Sequence, residues 1–221
     1  MTAESAPLAS GDSARRHKTR ERLIDAAYEV FSEHGLHSAS IEMVAEAAGF
    51  TRGAFYSNFE SKEELFFALA ERESGLRLAR LKLAVEAQHL LTKTNVPIFD
   101  EATVLELVRS MVALQSDDTR WFLVLGEFRL FAMRDQTVAQ RFTAHQHDIA
   151  VELAELITLA IASVGARFSL DPYVVAGIVS TTYETAMQQA ILSGVDNADA
   201  AAQEIAMRSL PALVFRLIER A

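Results

Sequence analysis

Residues 40–62 read SIEMVAEAAGFTRGAFYSNFESK, and their punctuation decides the fold. Ser40 can cap a helix, its hydroxyl accepting from backbone N–H groups that a first turn leaves without partners. Ile41, Val44, Ala45 and Ala48 recur at helical spacing on one face, and Gly49 ends that helix. A second short helix opens near Thr51 and turns Phe55 and Phe59 inward together. Ser61-Lys62-Glu63-Glu64 has the form of a capping box and starts a long helix to about residue 91. Two short helices around a glycine turn, then a new helix start, have the length of a helix-turn-helix. The second helix of that unit fits the major groove of DNA.

Working outward, residues 1–14 are small, polar and without periodicity, and are expected to be a disordered tail. Leu23, Ala27 and Phe31 at four-residue spacing predict a helix over about 19–33, ended by Gly35. Beyond the loop at 92–97, helices are expected at about 98–116, 118–134, 136–164, 172–194 and 199–220. Asp171-Pro172 starts the fourth of these and Gly194 closes it. Alternating strands with turn dipeptides are absent, so the expected fold is all-α with about nine helices. The division is a tail at 1–14, a helix-turn-helix domain at 15–62 and a helical body at 63–221.

Half the residues are apolar and none is cysteine, which excludes a disulfide scaffold and a thiolate metal site. Residues 1–20 lack the apolar stretch of a signal peptide. The uncharged runs fall short of the roughly 20 residues of a membrane span. The expectation is a cytoplasmic bacterial protein, associated with the nucleoid and not with a membrane. Net charge is −9, yet residues 15–22, RRHKTRER, hold five basic side chains against one acid. Phosphate attraction depends on which face carries the cations, so the overall charge does not exclude DNA.

On the second short helix, Gly53 and Ser57 point away from the inward Phe55 and Phe59, letting the backbone approach a groove. Arg52, at the helix start, has the reach for a guanine edge. Thr51, Tyr56 and Lys62 offer donors to phosphate oxygens, and Arg20 is the phosphate candidate in the basic run.

GFTRGAFYSNFESKEELF resembles the head of the tetracycline-repressor (TetR) family of bacterial transcription regulators. The resemblance rests on the A-x-x-A-G turn at Ala45–Gly49, the Phe55-Tyr56 pair, Phe59, and Ser61-Lys62-Glu63 leading a long helix. It covers roughly residues 19–70 and implies a homodimer on a palindromic double-stranded operator, with an effector cavity in the body. By motif match it gives DNA contacts to Thr51, Arg52, Gly53, Tyr56, Asn58 and Lys62, with Ser40 at the cap. Glu42 departs from the family, since some members carry a basic base-reading residue there and an acid cannot pair with phosphate.

In the body, Leu107, Met111, Trp121, Phe122 and Phe128 belong to an apolar band, with Arg129, His145, Tyr183 and Gln188 as polar candidates beside it. Such a mixture suits a small, mostly apolar effector and equally suits a filled core. The last two helices present Val175, Val179, Thr182 and Ala186, then Leu210, Val214 and Leu217. Paired with a second copy they would form a four-helix bundle, as the resemblance implies; alternatively both faces are buried within one subunit.

No phosphate loop, G-x-S-x-G elbow or H-E-x-x-H is present, and His145 and His147 are two apart on a helix and face different ways. No catalytic residue, metal ligand or cofactor is therefore assigned. The expected function is a ligand-responsive transcription repressor. A regulator without an effector and a helical protein-interaction adaptor are the alternatives.

Overall fold

The computed structural model describes residues 9–92, 100–114 and 119–221, with side chains throughout except at 9–12, 88–92 and 114. Ten helices and one short strand pair are present among them. These are α1 (Ala9–Ser38), α2 (Ile41–Ala47), α3 (Arg52–Tyr56), α4 (Lys62–Thr92), α5 (Glu101–Leu114), α6 (Thr119–Ala132), α7 (Gln136–Ala162), β1 (Ala166–Phe168), α8 (Pro172–Leu192), α9 (Ala198–Met207), α10 (Leu210–Arg216) and β2 (Ile218–Arg220).

The expected all-α fold is present, with three departures. Helix α1 begins at Ala9, so residues 9–14 are helical and not tail; residues 1–8 lie outside the described residues, as do 93–97 of the expected loop. No proline lies between Pro7 and Arg22, so the helix can propagate backward at one hydrogen bond per residue despite Gly11. The expected helix at 199–220 breaks into α9 and α10, because Pro211 cannot continue a ladder that needs its N–H. The chain end then pairs as a strand, with Ala166 opposite Arg220, Arg167 opposite Glu219 and Phe168 opposite Ile218.

The chain divides into two compact units. The first comprises residues 1–72 and 123–138, and so takes in ten residues beyond the expected boundary at 62 and the end of α6. Its core is Leu23, Ala27 and Phe31 of α1, Val44 of α2, Phe55, Phe59, and Leu65, Phe66 and Leu69 of α4. Burying each large side chain contributes about 1.5–3 kcal/mol. Gly35, at φ +75°, breaks α1 as expected of a left-handed terminus. From α6, Phe128 stacks on Phe66 with ring centroids 3.5 Å apart.

The second unit comprises residues 73–122 and 139–221. Its core joins Val104, Leu107 and Val108 of α5, Ile161 of α7, Tyr183, Met187 and Ala190 of α8, Ala202 and Ala206 of α9, and Leu210 and Val214 of α10. The Asp171 carboxylate accepts from Tyr173 N–H at 2.9 Å and Pro172 opens α8, the start read from the sequence.

Candidate functional site: an exposed helix on a glycine turn

The site is built on two caps and a turn. Ser40 has extended backbone, and its Oγ accepts from Met43 N–H at 3.1 Å. Val44, Ala45 and Ala48 are buried beneath α2. The turn follows at Gly49, with φ +71°, where Gly49 N–H donates to Glu46 O at 2.9 Å and Phe50 N–H to Ala45 O at 2.8 Å. Thr51 caps α3, its Oγ1 accepting from Ala54 N–H at 3.2 Å. Both hydroxyls act as acceptors in their caps, so each keeps its O–H as a donor.

Helix α3 is anchored from below and open above. Phe55 and Phe59 are fully buried with centroids 5.9 Å apart, while Thr51, Arg52, Gly53, Tyr56 and Ser57 are exposed. Tyr56 keeps 46% of its surface in solvent although its ring edge meets Phe55. Arg52 is held on this face from two sides. Its Nη1 lies 2.5 Å from a Glu42 carboxylate oxygen, its Nη2 donates to the Tyr56 hydroxyl at 3.4 Å, and its guanidinium sits 5.5 Å from the Tyr56 ring centroid. The Tyr56 hydroxyl first, and then the Glu42 carboxylate, push the arginine pKa above its ordinary value. The group is a cation at every accessible pH.

Three other basic residues of this unit, half-buried Arg20 and Lys62 and exposed Arg22, close helix ends. Arg20 donates through Nη1 to Asn58 O and lies 4.1 Å above the Phe59 ring. Arg22 donates to Ala48 O at 2.7 Å and lies over Phe50. Lys62 Nζ donates to Leu36 O at 2.7 Å and Ala39 O at 2.9 Å. These carbonyls stand at helix C-termini, where cations satisfy orphan acceptors and oppose the negative dipole end. Asn58, only 9% exposed, donates through Nδ2 to Ala54 O at 2.8 Å, and its Oδ1 has no partner in the structure.

Of the sequence candidates, Thr51, Arg52, Gly53 and Tyr56 therefore share an exposed surface, with Ser40 half-buried at the adjoining cap. Arg20, Asn58 and Lys62 do not, because helix ends claim them. The signal for Arg20 is its register with Leu23, Ile24 and Ala27, which puts it on the core stripe of α1. Arg15, Arg16 and Lys18 are exposed instead and supply the solvent-facing cations of α1.

In the second unit, Leu107 and Tyr183 are core residues, with Met111 and Phe122 packed against them. Trp121 is buried under the Arg77 guanidinium, 5.3 Å from the ring centroid. His145 Nε2 lies 3.3 Å from Ser74 Oγ, and Gln188 is exposed. Phe128 and Arg129 belong to the first unit and do not join this set. Of the expected interface residues, Val175, Ala186, Leu210 and Val214 are buried within the second unit, and Val179, Thr182 and Leu217 are half-buried. Two of them, Thr182 and Ala186, lie on the open face of α8. Val174, Gly177, Ile178, Thr181 and Thr185 line a cleft of about 610 Å³ with Ile205 and Ser209. Among the described residues no cluster of His, Asp and Glu could hold a metal, and no helix is long and apolar enough to cross a membrane.

Residues 23–69 match the family model of bacterial regulatory proteins of the tetR family. The HTH-type transcriptional regulator UidR of Escherichia coli (strain K12) is 37% identical over 73 residues, covering 33% of this chain and 37% of that protein. The chain thus aligns with little more than a third of that relative's length. A putative TetR-family transcriptional regulator from Mesorhizobium loti has a similar structure, with TM-score 0.65, 19% identity, and 91% and 96% of the two chains covered. The regulator FadR of Bacillus subtilis, solved in complex with stearoyl-CoA, gives TM-score 0.62 at 19% identity over 84% and 95%. Residues 23–69 are thus similar to the N-terminal domain of the tetR family, and the chain shares the fold of these solved structures over the parts they cover.

Proposed function

We propose that this protein is a homodimeric transcription regulator that binds a palindromic DNA operator, acts as a repressor and is released by a small, mostly apolar effector. The observation that carries the proposal is the exposed Thr51–Arg52–Gly53–Tyr56 surface, held rigidly by Phe55 and Phe59 below it. Arg52 would donate to guanine O6 and N7, Thr51 and Tyr56 would donate to phosphates, and Gly53 would let the backbone close on the groove. Arg15, Arg16 and Lys18 would add phosphate contacts. The protein would work in the bacterial cytoplasm, at the nucleoid.

A dimer is supported by the α8–α9 cleft, whose small residues Gly177 and Ala206 allow close helix approach. Two copies would present two α3 helices to successive major grooves about 34–36 Å apart. An effector held by the second unit would favour a dimer with a different spacing, and its effect is limited by its differential affinity for the two states. The stearoyl-CoA bound by FadR supports an effector with a long apolar part. Direct burial of Leu107, Trp121 and Tyr183 favours a second reading, DNA binding without an effector.

Titrating the protein against duplex fragments from its own genomic neighbourhood, across salt concentrations, tests the proposal. The expected result is fragment-selective binding that weakens steeply with salt. Equal binding to all fragments rejects operator recognition. Thermal-shift screening with long-chain acyl compounds then separates the two readings, since only an effector-responsive protein is stabilised by ligand.

A further inference from the structure

We infer that Glu42 is a specificity determinant of the DNA interface, acting as a positioning residue through Arg52; the inference rests on the DNA-binding reading above. Glu42 stands in the first turn of α2 and Arg52 opens α3, so their 2.5 Å ion pair braces two helices across the glycine turn. The brace engages Nη1, while Tyr56 engages Nη2 at 3.4 Å. A guanidinium carries five N–H donors, so two braces leave three for a base edge. Both partners are more than half exposed, and an exposed ion pair adds little to stability. Its consequence lies in where it holds the guanidinium plane.

An acid on a DNA-facing surface also repels phosphate. Glu42 therefore acts in two opposite directions: it lowers affinity for DNA in general and raises discrimination at the base that Arg52 reads. A carboxylate present only to complement the dipole of α2 would do the first and not the second.

The test uses the full chain and a randomised duplex library, followed by titration of the enriched duplex and its single-position variants. Wild type is expected to enrich a G·C pair at one position of each half-site. Glu42→Ala should lower discrimination at that position roughly tenfold and tighten binding to unenriched DNA about two- to fivefold. Glu42→Gln, which keeps an acceptor without charge, should tighten general binding equally yet retain part of the discrimination. In an Arg52→Ala background, Glu42→Ala should leave base preference unchanged, since the coupling runs through the arginine. Unaltered preference in Glu42→Ala and Glu42→Gln overturns the inference, as does an effect that persists without Arg52. A library from which wild type enriches nothing overturns the DNA-binding reading itself, which separates the two failures.

Discussion

The Glu127 carboxylate of α6 accepts a hydrogen bond from the backbone N–H of Leu36 at 2.6 Å, beside the break in α1 at Gly35. Leu36 is buried but Glu127 is exposed, so water can partly replace the carboxylate when it is removed. Glu127→Ala is expected to destabilise the protein by about 1 kcal/mol, since solvent competes for a part-buried bond. Glu127→Gln, which preserves an acceptor, should lose about half as much. Urea denaturation of the three proteins checks this.

The turn at Gly49 carries a second prediction. With φ +71°, any Cβ is strained there, and it would also meet Arg22 Nη2 at 3.1 Å. Gly49→Ala should cost about 1–2 kcal/mol from the left-handed backbone alone. Because Arg22 caps α2 through Ala48 O, the substitution should also weaken DNA binding by displacing α2 against α3. Denaturation and anisotropy titration of one preparation would report both.

Lys62 and Arg15 should separate by salt dependence. Lys62 is bound to Leu36 O and Ala39 O, so Lys62→Met should lower stability by about 1 kcal/mol and leave the slope of log affinity against log salt unchanged. Arg15 is exposed, and Arg15→Ala should reduce that slope by roughly 0.9, one phosphate contact, with no loss of stability. A reduced slope in Lys62→Met would show that lysine reaching DNA after all.

The two faces of α8 should also behave differently. Gly177 lines the open cleft, and Gly177→Arg should shift the protein from dimer to monomer in sedimentation velocity without lowering monomer stability. Val175 is fully buried in the subunit core, and Val175→Ala should destabilise by about 1–3 kcal/mol with the dimer retained. The opposite pattern would return the interface to the Val175 face.

The helix-turn-helix was legible because each boundary has a local chemical cause: the hydroxyls of Ser40 and Thr51, the positive φ of Gly49, and the Phe55–Phe59 pair. The capping box was legible too, although Glu64 accepts from Glu60 N–H at 2.6 Å, one residue earlier than the motif implies. For Arg20 only its register on the core stripe of α1 was legible; its partner, like those of Arg22 and Lys62, is a carbonyl 23 to 38 positions away. The pairing of β2 with β1 is equally non-local. The inward face of α8 was not legible for another reason: apolar residues are spread around that helix, so periodicity could not say whether Val174 or Val175 turns to the core. The break between α9 and α10, by contrast, had its signal in Pro211, within a run of apolar residues that reads as continuous.

The central claim is that the exposed face of α3 reads duplex DNA. It is tested most directly by measuring the affinity ratio between an enriched duplex and a scrambled one for wild type, Arg52→Ala and Tyr56→Ala at fixed salt. The account predicts a wild-type ratio of about 10³ or more. Arg52→Ala should lose at least tenfold of that ratio, and Tyr56→Ala should weaken binding to both duplexes alike, while melting temperature and dimer mass stay unchanged. An Arg52→Ala variant that keeps the full wild-type ratio, or a Tyr56→Ala variant that binds both duplexes as tightly as wild type, would contradict the account.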